Sequence, residues 1–165
     1  MRYLPYSGLV RKISVVPGRA ATGFALLLGL REHHHSTSGH LKAILAATLA
    51  GHAAERIVFG ETSTALQDDI QRATSIARDM VQRYGMSEAV GTVALARDDN
   101  TVLPRLYSEK TAASVDVEIR RILDEAHRQA ASIMTAHRDV LDRVAQALLK
   151  HGTLQGDVLR RLFQR

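Results

Sequence analysis

Cysteine is absent from this 165-residue chain, and aromatic residues make up only 4% of it. Without cysteine there is neither a disulfide framework nor a thiolate metal site, a composition compatible with a reducing compartment. With so few aromatics, the core must be filled by Ala, Leu, Ile and Val, which favours helices packed closely on small side chains. No run approaches the ~20 apolar residues that a membrane-spanning helix needs. The opening residues Met1-Arg2-Tyr3-Leu4-Pro5 lack the apolar stretch of a secretion signal. The chain as given is expected to be soluble. Its 45% hydrophobic content is ordinary for one globular domain.

The net charge of +5 and the pI near 10 raise the question of nucleic acid. Two observations speak against it. The basic residues are interleaved with acids, as on solvated helix faces. No aromatic residues alternate with them as a base-stacking platform requires. No nucleic-acid partner is expected.

Taken in order, residues 9–16 (LVRKISVV) and 22–28 (TGFALLL) read as two short strands, with Pro17-Gly18 closing the first. The polar segment 31–39 holds His33, His34 and His35. A histidine tract can bind metal, but consecutive residues cannot all face one ion on a regular backbone, so a solvated loop is expected. Thr37 is placed to cap a helix. Leu41, Ile44, Leu45, Thr48, Leu49, His52 and Ala53 then recur at helical spacing. Asp68 and Asp69 open a second helix with Ile70, Ala73, Ile76, Ala77, Met80, Val81 and Tyr84 on its apolar face and Gly85 as its stop. Carboxylates there are favoured by the free N–H groups and the dipole. After an aperiodic stretch over 86–107, a long helix is expected near 108–135 with Val115, Ile119, Ile122, Leu123, Ala126, Ala130, Ile133 and Met134 inward. A further helix near 138–150 would bury Leu141, Val144, Ala145 and Leu148 and end at His151-Gly152. Val158, Leu159, Leu162 and Phe163 would form a last short one.

Residues 49–88 carry a resemblance to a known family. Ala53-Ala54-Glu55-Arg56-Ile57-Val58-Phe59-Gly60-Glu61 is followed by the turn Ser63-Thr64-Ala65-Leu66-Gln67-Asp68-Asp69-Ile70 and by a helix ending Tyr84-Gly85-Met86-Ser87-Glu88. This run resembles the peptidase domain of FtsH-type ATP-dependent zinc metalloproteases, and the likeness extends over about residues 2–163. It implies a mainly α fold with a small N-terminal β element, a helical metallopeptidase-like domain. Residues 1–107 would be the metallopeptidase-like core and 108–165 its C-terminal helical part. The family's third zinc ligand falls on Asp69. Gly23, Phe24 and Ala25 would lie along the strand edge that meets an extended substrate. Asp68 stands where the family usually has Asn and is a candidate cap; His52 stands where it usually has Arg and reads as a surface or satisfied core histidine. The resemblance also implies a hexameric ring, a fused AAA ATPase, membrane anchoring with the peptidase on the cytoplasmic or organelle-interior side, and membrane or damaged proteins as substrates.

Two family motifs are missing. No G-x-x-x-x-G-K-[ST] phosphate loop occurs, and no H-E-x-x-H. The latter supplies two histidines one helical turn apart on one metal, with a glutamate to activate the bound water. Met1 aligns just after that motif. Either Met1 is internal to a longer reading frame, or the chain is a degenerate paralogue. The expectation is that no catalytic residue lies in this chain, that it holds no zinc by itself, and that it is inactive alone. The alternatives are a non-catalytic assembly module derived from such a peptidase and, further off, a basic helical nucleic-acid binder.

Overall fold

The computed structural model describes residues 9–16, 24–28, 36–96 and 107–163. Its elements run β1 (Leu9–Ser14), β2 (Phe24–Leu28), α1 (Ser38–Thr48), α2 (Ala50–Phe59), a 3-10 turn (Thr64–Leu66), α3 (Gln67–Gln82), α4 (Glu109–Ala136), α5 (Arg138–His151), β3 (Thr153–Gln155) and α6 (Asp157–Leu162). The fold is mainly helical with a small sheet, as expected. The chain forms two compact units, one of Met1–His35 with Ser132–Arg165 and one of Ser36–Ala131. No helix among the described residues is long and apolar enough to cross a membrane.

The first unit is built on an antiparallel sheet of order β2-β1-β3. The third strand was not expected. Its three residues pair with the end of β1, Ile13 opposite Leu154 and Ser14 opposite Thr153. The hydroxyls of Ser14 and Thr153 meet at 2.8 Å, and Val15 N–H donates to the Gly152 carbonyl at 3.0 Å. Gly152 has φ +68°, so the chain can turn from α5 into β3 where a side chain would be strained. Leu148, Leu154 and Leu159 form the core, with Val10, Ile13, Val144, Ala147, Leu162 and Phe163 packed against them. The inward face of α5 differs from expectation: Val140 and Leu148 are buried, whereas Ala145 is exposed.

The second unit is helix on helix. Thr37 caps α1, its Oγ1 accepting from His40 N–H at 3.2 Å. The expected single helix is two, because Leu49 departs from helical ψ (φ −82°, ψ 0°). The backbone bonds Leu49 N–H to Leu45 and Ala53 N–H to Leu49 span the break. α1 packs on α3, and Ala43, Ala46, Ala47, Ala73 and Ala77 are all buried. α3 stops at Gln82, before Gly85. Gly85 itself has φ +59°, and a Cβ there would lie 3.2 Å from Thr92 Cα. On α4 the buried stripe is Ala112, Val115, Glu118, Ile122, Ala126 and Ala130. Glu118 is the polar member, 3% exposed. Arg121 donates to it twice, at 2.8 and 2.7 Å, and also pairs with Glu125. The Arg121 hydrogen bonds hold the Glu118 carboxyl below its ordinary value despite burial, with help from Ser87.

Candidate functional site

Asp69 stands in the first turn of α3, exposed to solvent, with Asp68 beside it. The helix begins at Gln67 after the 3-10 turn, with no side-chain cap, so Asp68 is inside the first turn rather than the cap. Two features fix this turn. Leu66, buried, anchors it to the unit's interior. Glu55 on α2 reaches across to Ser63, accepting from its backbone N–H at 2.7 Å and from its hydroxyl at 3.0 Å. Gly60 ends α2 with φ +79° and starts the reversal. α2 comes close to the turn at Gly51: a Cβ there would sit 3.3 Å from Leu66 Cδ2 and 3.9 Å from Asp69 Oδ2. Glycine at 51 therefore lets α2 lie close against Leu66, with the Asp69 carboxylate within van der Waals reach.

Phe24 and Ala25 open β2, opposite Ser14 and Ile13, on an outer strand of the described sheet. Gly23 and the His33 to His35 tract lie outside the described residues. Among the described residues, no three His, Cys, Asp or Glu side chains converge on a metal position.

The structure adds a pair that residue spacing did not reveal. His52 Nδ1 on α2 and His127 Nε2 on α4 are 2.9 Å apart, the rings edge-on with centroids at 4.8 Å. One nitrogen donates and the other accepts. Both rings are half-buried and border a cavity of about 260 Å³ whose walls include Leu49, Arg56, Thr74 and Asp124. Burial pushes the His127 imidazole below its ordinary pKa, reinforced by His52 and Arg56 and opposed by Asp124. The residues are 75 apart in sequence, and no local pattern joins them. Glu55 was also legible only as a letter of the A-A-E run; its bond to Ser63 is a tertiary fact.

These helices and this turn are those of a peptidase domain. The sequence pattern of peptidase family M41 matches residues 1–162, and the chain belongs to that family. It is similar to the ATP-dependent zinc metalloprotease FtsH of Rubrobacter xylanophilus, 37% identical over 168 residues, covering 98% of this chain and 26% of the relative. The protein of the same description from Bacillus subtilis is 38% identical over 170 residues, covering 97% and 26%. The FtsH 3 of Symbiobacterium thermophilum is 36% identical over 170 residues, covering 98% and 27%. The chain thus spans about a quarter of the length of these relatives.

Such relatives imply zinc. A catalytic zinc takes three protein ligands and leaves a position for water. The described residues place the carboxylates of Asp68 and Asp69 in the first turn of α3 without a third converging group, and the sequence holds no H-E-x-x-H. The described residues therefore do not make a complete zinc site.

Proposed function

We propose that this chain supplies the part of an FtsH-type, ATP-dependent zinc metalloprotease that carries the third zinc ligand, Asp69. The observation that supports it is the turn geometry. A carboxylate in the first turn of α3 is favoured by the free N–H groups there. Glu55 holds the turn through Ser63, and glycine at 51 lets α2 approach the turn at Leu66. The two histidines and the glutamate of an H-E-x-x-H segment would complete the site. Protein substrates, with Gly23, Phe24 and Ala25 as the edge that meets an extended peptide, belong to the same reading. So do a ring of copies, an AAA ATPase module and anchoring of the whole protease to a membrane. Alone, the 165 residues should neither cleave protein nor retain catalytic zinc through dialysis.

The test extends the chain upstream with a family segment bearing H-E-x-x-H. The extended protein should retain zinc, degrade casein and sediment as an oligomer. Asp69→Ala in it should weaken metal retention and activity by at least the roughly 10–100-fold typical of losing a supporting group around a metal. Full zinc content after Asp69→Ala, or casein cleavage by the 165-residue chain alone, would sink the reading.

A further inference from the structure

We propose that His52 and His127 form a second metal site, one that takes a divalent transition ion of the imidazole-preferring kind, Cu²⁺, Ni²⁺ or Zn²⁺, through His52 Nδ1 and His127 Nε2. The proposal does not rest on the role given to Asp69.

Geometry carries it. Two ligand atoms bound about 2.1 Å from one ion sit roughly 3.0 Å apart at a right angle and roughly 3.4 Å apart at the tetrahedral angle. The two imidazole nitrogens are already 2.9 Å apart. They come from different helices, α2 and α4, so the spacing is set by packing rather than by one flexible loop. At present the nitrogens face each other. The neighbouring cavity of about 260 Å³ gives the rings room to turn toward a shared point and leaves space for water as the remaining ligands.

The proton count is simple. Two neutral imidazoles carry one ring proton each, and one of these lies in the hydrogen bond between them. Metal binding needs the lone pairs of His52 Nδ1 and His127 Nε2, so the protons must reside on His52 Nε2 and His127 Nδ1. That is a change of tautomer, with no net proton released. Charge sets the affinity. Arg56 on the cavity wall opposes a cation, while Asp124, three residues before His127 and so on the same face of α4, favours one. With two protein nitrogens and these opposed charges, the site is exchangeable rather than dialysis-stable. Imidazole ligands select Cu²⁺, Ni²⁺ and Zn²⁺ over Mg²⁺ and Ca²⁺.

The experiment uses the 165-residue chain with His33, His34 and His35 each changed to Ser, so that the tract cannot contribute. NiCl₂ is titrated by calorimetry at neutral pH. One ion should bind per chain. His127→Gln and His52→Arg should each weaken it by at least ~10-fold, the lower end of what disturbing a metal's surroundings costs. Asp69→Ala should leave it unchanged. In the otherwise unsubstituted chain, trace Ni²⁺ should broaden the ring resonances of His52 and His127 by nuclear magnetic resonance, which decides the matter should a variant fail to fold. Broadening that spares both rings, or a folded His127→Gln chain that binds as tightly as its parent, would overturn the proposal.

Discussion

The two units of this chain differ in how much of their interior is alanine. In Ser36–Ala131, the interior is dense with Ala43, Ala46, Ala47, Ala53, Ala73, Ala77, Ala112, Ala126 and Ala130, packed among Ile44, Leu45, Leu49, Leu66, Met80, Val81, Val115 and Ile122. In the unit holding the sheet, the buried cluster is Leu148, Leu154 and Leu159, surrounded by half-buried Val10, Ile13 and Phe163. Small side chains let backbones approach, so the helical unit sets the positions of Asp69, Glu55 and the histidine pair by how closely helices come together. Large branched side chains fill volume, so the sheet unit depends on how much apolar surface each one removes from water. One interior should resist enlargement and the other truncation.

The largest effect expected is in the sheet unit. Leu154 is 2% exposed in a strand of only three residues, and Leu154→Ala should cost about 2–5 kcal/mol in urea unfolding. A loss under about 1 kcal/mol would break the contrast, because the cluster would then not depend on volume. Next comes the polar exception in the helical unit. Glu118→Gln removes the charge from a carboxylate that accepts two Arg121 bonds, and should cost about 1.5–3 kcal/mol. The pH dependence has a definite sign. The folded carboxyl titrates below its ordinary 4.5, so its contribution is full above that value and fades as the pH falls through the lower folded one. The gap in unfolding free energy between parent and variant should therefore close on acidification below about 4.5. A gap that persists unchanged would show that shape rather than charge is at work. The smallest effect, and the sharpest for the contrast, is Ala77→Leu. Ala77 is fully buried on α3, and the added bulk should cost about 1–3 kcal/mol by overpacking. A neutral or stabilising result would mean that the helices are not held at closest approach.

Much of this was legible from residue order, and the exceptions have physical reasons. The 3.6-residue period showed α3 and α4, because both bury one stripe and expose the rest. Thr37 as cap and Gly152 as stop follow from local chemistry, and both hold. The break at Leu49 was invisible because it has no Gly or Pro, and backbone bonds run through it. β3 is three residues, too short for alternation to register. Glu118 could have been found: it lies three after Val115 and four before Ile122, a helical spacing that predicts burial for whatever stands there. The place of Asp68 and Asp69 at the start of α3 was legible from local chemistry, whereas His52 meeting His127 depends on two helices coming together across 75 residues.

The pairing of β1 with β3 has a consequence for synthesis. Ser14 and Thr153 are 139 residues apart, and their hydroxyls meet. A ribosome adds roughly 5–20 residues each second. The side of β1 that receives β3 therefore stays uncovered for roughly 7 to 28 seconds while the intervening helices are made. An open strand edge is a template for other chains. The strand edge thus stays open until the 139 residues between its partners have been made, and crowded polysomes are where nascent copies would most need shielding.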